Sequence, residues 1–174
     1  MFVKQTCVKA REFRIHIDSP SAYKLFRSFF VKTLADTYNA GPLVIMCIGT
    51  DRSTGDALGP LVGERLHKTC RHARVFGNLK EPVHAVNLEK ILDNIRDTYE
   101  NPFIIAVDAS LGPSENVGTI KIAPGSLKPG AGVNKKLPPV GNFHITGVVN
   151  VGGFMEYLVL QNTRLFTVMK MVDI

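Results

Sequence analysis

The stretch Leu43-Val44-Ile45-Met46-Cys47-Ile48, followed by Gly49-Thr50-Asp51-Arg52-Ser53-Thr54-Gly55-Asp56-Ala57-Leu58-Gly59-Pro60, reads as a buried strand emptying into a loop and then a helix. A continuous apolar run of this length suits a strand covered on both faces, and Pro60 suits the first turn of a helix. A second run, Phe103-Ile104-Ile105-Ala106-Val107, ends directly in Asp108-Ala109-Ser110. Ligands of open α/β sheets bind in the crevice outside the carboxyl ends of the strands. Asp56 and Asp108 are therefore expected to meet there.

Working outward, Phe13-Arg14-Ile15-His16-Ile17 alternates as a short strand at the end of an N-terminal arm, residues 1–18. Ser19-Pro20-Ser21 starts a helix whose stripe is Ala22, Leu25, Phe26, Phe29, Phe30 and Leu34, broken by Asn39-Ala40-Gly41-Pro42. The helix opened by Gly59-Pro60 presents Leu61, Val62, Leu66 and Cys70 on one side, and Ala73 to Gly77 reads as a short strand. Asn87 precedes a helix with the stripe Leu88, Ile91, Leu92, Ile95 and Tyr99, and Val117 to Ile122 reads as a further strand. From Pro124 to Gly147 the chain is rich in Gly and Pro and reads as a long lid or binding loop. Val148 to Gln161 is expected as a helix and Leu165 to Val172 as a last strand, with no covering helix after it, so that either another element covers the sheet edge or the chain is a shortened version of a longer protein. Alternating helices and strands with long crossovers predict one three-layer α/β/α domain over residues 1–174, with a mixed, mostly parallel sheet.

At 174 residues the chain is long enough for one well-buried core. Composition is ordinary, with 45% hydrophobic and 21% charged residues. No apolar run approaches the roughly 20 residues of a membrane span, and no secretory signal is apparent. Cys7, Cys47 and Cys70 lack C-x-x-C spacing, which favours a reduced, cytoplasmic compartment. The net charge of +6 is spread over three regions without aromatic interleaving, so a nucleic-acid partner is not expected.

Two carboxylates at strand ends suit general acid–base chemistry. An Asp near a helix start is often a cap, but Leu58 or Gly59 is better placed to cap a helix opening at Pro60, leaving Asp56 free. Asp108 ends an apolar strand, where a carboxylate is costly unless paired, hydrogen-bonded or metal-bound. Asp51 and Glu64 read as loop and surface groups. His144 closes the Gly/Pro-rich loop before the expected helix and so stands at the rim of the same crevice; His16, His67, His72 and His84 have no such placement. Gly49 to Gly59 lacks the spacing and Lys of a P-loop, and the chain has no G-x-S-x-G elbow.

Gly55-Asp56-Ala57-Leu58-Gly59-Pro60 with Val107-Asp108-Ala109 resembles the germination protease of spore-forming bacteria, and most closely the shorter sporulation YyaC family, from about Pro42 onward. That resemblance implies a catalytic pair, Asp56 and Asp108, in a spore-associated endopeptidase. Its substrates would be small acid-soluble spore proteins, in the cytoplasm of the developing spore or forespore. The order of motifs is also similar to the hydrogenase maturation endopeptidases, which implies their fold and a metal-gripping set of Asp56, Asp108 and His144. Two oxygen donors and an imidazole suit Zn or Ni. Asp56 stands where those enzymes usually have Glu, and the N-terminal region gives no clear sign of a propeptide. Carboxylate pair and metal site remain alternative chemistries, and a non-catalytic sporulation protein holding a divalent metal or protein partner in the same crevice is the alternative function.

Overall fold

The computed structural model of the chain describes residues 12–130 and 137–174. In chain order the elements are β1 (Phe13–His16), α1 (Ala22–Thr37), β2 (Leu43–Cys47), α2 (Leu58–Thr69), β3 (Arg74–Phe76), α3 (Leu88–Thr98), β4 (Phe103–Gly112), β5 (Thr119–Pro124), β6 (Phe143–Val151), α4 (Glu156–Gln161) and α5 (Leu165–Val172). The strands form one sheet in the order β1-β5-β6-β4-β2-β3. Neighbours from β6 through β4 and β2 to β3 are parallel, whereas β5 and β1 run antiparallel at the other edge. The sheet is thus mixed and mostly parallel, as expected.

Alternation along each strand divides the core into two layers. Val44, Met46, Ile104 and Ala106 pack with Leu88, Leu92 and Ile95 of α3. Burying each of those three side chains contributes roughly 1.5–3 kcal/mol, which is what docks α3 onto the sheet. Ile105, Ile122 and Phe143 share a cluster with Phe26 and Phe30 of α1 on the opposite face. There Phe30 meets Phe143 edge-on, with centroids 5.8 Å apart. Further along, Leu58, Ile120, Val149, Val168 and Met171 join α2, α5 and the sheet.

Three expectations need correction. Residues from 143 belong to β6, so the Gly/Pro-rich loop ends earlier and the expected helix from Val148 to Gln161 shrinks to α4. Pairing with β4 on one side and β5 on the other claims these residues for the sheet. Leu165 to Val172 is a helix, because Val168 and Met171, three apart, are the positions it buries. The expected last strand is thus itself a helix, α5, that packs on the sheet. Part of the lid segment is also ordered by a bridge between Leu127 and Val140. The N-terminal arm before residue 12 lies outside the described residues.

Candidate active site

The loop carrying Asp56 is folded onto the end of β2. Ile48 N–H donates to Val107 O (2.7 Å) and Gly49 N–H to Val83 O (2.8 Å). Thr50 N–H then donates to the Asp56 carbonyl (3.1 Å), closing the loop on itself. Gly49 has φ +138°, and a Cβ there would lie 2.0 Å from that same carbonyl, so both conformation and space demand glycine. A 3-10 turn over Gly55–Ala57 runs into α2. Gly59 in the first turn of α2 sits so close to β2 that a Cβ would lie 2.0 Å from Ile48 O. The carboxylate is thereby fixed by its backbone.

Asp108 lies within β4, which continues to Gly112, rather than at the strand's end. Parallel pairing with β6 carries the strand onward, and Asp108 stands opposite Thr146. Its side chain is only 7% exposed, and one carboxyl oxygen accepts the Ala109 N–H at 2.8 Å. Asp56 and Asp108 line one cleft of about 830 Å³, within the size range of small-ligand and peptide pockets. Burial pushes the Asp108 carboxyl well above the ordinary carboxylate range; the charge of Asp56 pushes it further, and the Ala109 N–H opposes both. Burial also raises Asp56; the Thr50 N–H opposes the rise, as does His84 when its ring is protonated. Two like charges in one buried site do not both ionise readily, so the pair favours holding a proton.

His144 is not part of this constellation. It lies inside β6 opposite Ala106, one strand repeat short of the Asp108–Thr146 pair, and does not open a helix. Its Nδ1 donates to the Gly125 carbonyl at 2.9 Å, and burial lowers its pKa. Among the described residues no three His, Cys, Asp or Glu side chains are grouped to hold a metal. The set Asp56, Asp108 and His144 therefore does not fit a metal centre in this arrangement. His84, which shows no motif in the sequence, lines the cleft instead, together with Asp51, Arg52, Lys80 and Lys128. Only the turn around Pro82 and Asn87 hinted that the chain folds back there. Glu64 pairs with Lys68 at 3.0 Å on α2 and, as expected, stays outside the cleft. Cys47 at the end of β2 is fully buried, and that burial pushes its thiol up to about 12, as suits a packing cysteine rather than a nucleophile.

A family profile described as a protein of unknown function, DUF1256, matches residues 14–174. The chain belongs to that family. Over 134 residues this DUF1256 protein is 57% identical to YyaC, an uncharacterised protein of Bacillus subtilis strain 168. The alignment covers 76% of the chain and 65% of the relative's own length. Among solved structures it is similar to HycI, a NiFe hydrogenase maturation protease from Thermococcus kodakarensis KOD1, with a TM-score of 0.51 and 19% identity over 81% of this chain and 92% of that one. At that identity the likeness establishes the shared fold. No helix among the described residues is long and apolar enough to cross a membrane.

Proposed function

We propose that this DUF1256 protein is a peptidase that hydrolyses peptide bonds in small spore proteins, using Asp56 and Asp108 as a carboxylate pair. The observation that carries this reading is the convergence of the two acids in one cleft, with the buried Asp108 driven toward its protonated form. In the reaction one carboxylate takes a proton from water as the oxygen attacks the scissile carbonyl carbon. The protonated partner then supplies a proton to the departing amine as the C–N bond breaks. The fold shared with a maturation protease supports the reading. By the resemblance of its motifs, the substrates are small acid-soluble spore proteins of the forespore cytoplasm.

The test is incubation with small acid-soluble spore proteins followed by mass spectrometry, comparing wild type with Asp56→Asn and Asp108→Asn, with and without chelator. Cleavage by wild type alone supports the carboxylate pair. Loss of cleavage in chelator would return a metal to the site. A folded wild type that binds but cleaves nothing would favour the non-catalytic reading.

A further inference from the structure

We propose that His84 is a third catalytic residue of this site, a fixed hydrogen-bond donor to the scissile carbonyl oxygen. The role rests on the peptidase reading, and it is argued from how the imidazole is held. Val83 bridges to Ile48, and its carbonyl accepts the N–H of Gly49, the first residue of the Asp56 loop. The next residue, His84, is thereby set on the cleft wall beside the carboxylates.

Asn87 clamps that residue from the other side. Its Oδ1 accepts the His84 N–H at 2.8 Å, and its Nδ2 donates to the Pro82 carbonyl at 2.9 Å. The His84 carbonyl in turn accepts the N–H groups of Asn87 (3.1 Å) and Leu88 (2.9 Å), where α3 begins. The backbone of His84 is therefore anchored at both ends. The ring is oriented as well, because Nδ1 accepts the Val86 N–H at 3.3 Å. A neutral imidazole with Nδ1 as acceptor carries its proton on Nε2, so the donor left for a ligand is the Nε2–H.

In the reaction proposed above the one carboxyl proton goes to the departing amine, so a further donor is needed for the negative charge that grows on the carbonyl oxygen. Preorganised donors at that position are usually the largest single contribution to acyl-group hydrolysis. Arg52, Lys80 and Lys128 also border the cleft, but their long side chains lack the two-sided backbone clamp and ring hydrogen bond of His84. In the step proposed, water loses a proton to the carboxylate and its oxygen bonds the carbonyl carbon. The carbonyl π electrons move onto oxygen, where the Nε2–H hydrogen-bonds them without transferring its proton. Collapse breaks the C–N bond, and the second carboxyl protonates the amine.

The experiment compares His84→Ala, His84→Gln and His84→Asn in the small acid-soluble spore protein assay. Circular dichroism establishes that each variant is folded. Gln can place an N–H donor near the Nε2 position, whereas Asn reaches only as far as Nδ1. We expect His84→Ala and His84→Asn to lose roughly 10²–10³-fold in kcat with KM little changed, and His84→Gln to recover most of it. Equal activity of wild type and His84→Ala, or equal loss in Ala and Gln, overturns the role while leaving the carboxylate pair intact. A folded wild type without cleavage overturns the peptidase reading and this role together. Independently of turnover, ¹H–¹⁵N correlation of the neutral ring should show the Nε2–H form; an Nδ1–H form overturns the assignment.

Discussion

Asp108 shows at the scale of one residue how chemistry and stability oppose each other. A carboxyl whose pKa is raised by folding binds its proton more tightly folded than unfolded. Its contribution to stability is present below the ordinary carboxylate range and is lost as pH rises through the raised value. Asn at this position is neutral at every pH and can still accept the Ala109 N–H. Asp108→Asn is therefore expected to be more stable than wild type at pH 8, on the order of 1–2 kcal/mol, with the gap closing toward pH 4. Paired urea titrations at the two pH values would check this; a gap independent of pH would contradict it. The same substitution should abolish cleavage, as should Asp56→Asn, each by at least about 10²-fold in kcat. In wild type, cleavage should fall on the alkaline side as the shared proton leaves the pair. A pH–rate profile in which rate rises monotonically to pH 9 would argue against a protonated carboxyl. His84 was not legible in this respect, since its importance comes from a bridge between Val83 and Ile48 that no local spacing announces.

At the scale of elements, the site depends on how tightly α2 is laid against β2. Gly59→Ala forces a methyl group onto the Ile48 carbonyl. We expect a loss of about 3 kcal/mol, measured by thermal or urea unfolding, and a displaced Asp56. Asn87→Ala removes two side-chain hydrogen bonds beneath His84 and should cost about 1–2 kcal/mol. The elements that sequence reading captured carry clear marks: Gly41-Pro42 before the apolar run of β2, Asn101-Pro102 before that of β4, and the helical spacing of the stripes of α1 and α3. Those it misread are short and apolar almost throughout. In Leu165-Phe166-Thr167-Val168-Met169-Lys170-Met171-Val172 both helical and strand spacings are satisfied, and only packing against α2 and β6 decides between them. Val148 to Val151 is equally ambiguous until β4 and β5 flank it. The two acids were legible because each follows an apolar run; His144 was misplaced because its strand was taken for a loop and helix.

For the whole molecule, the fold brings together residues from distant parts of the chain, and the site's chemistry should follow the carboxylates rather than a bound ion. Cleavage is expected to persist, within about twofold, after exhaustive dialysis against a chelator; a strict requirement for added Zn or Ni would overturn this expectation. The last helix has a particular place in this assembly. Gly147 of β6 leaves room, with no Cβ of its own, for Leu58 and Met171 to close over it. Lys170 pairs with Asp18, and Arg65 of α2 pairs with Asp173. Leu58 lies only two residues after Asp56, so the turn that presents the first acid is roofed by a helix made at the other end of the chain. During synthesis both aspartates leave the ribosome long before that roof exists. A growing chain therefore carries both acids before it carries the helix that closes over the turn of the first, and the cleft is completed by the end of the chain made last.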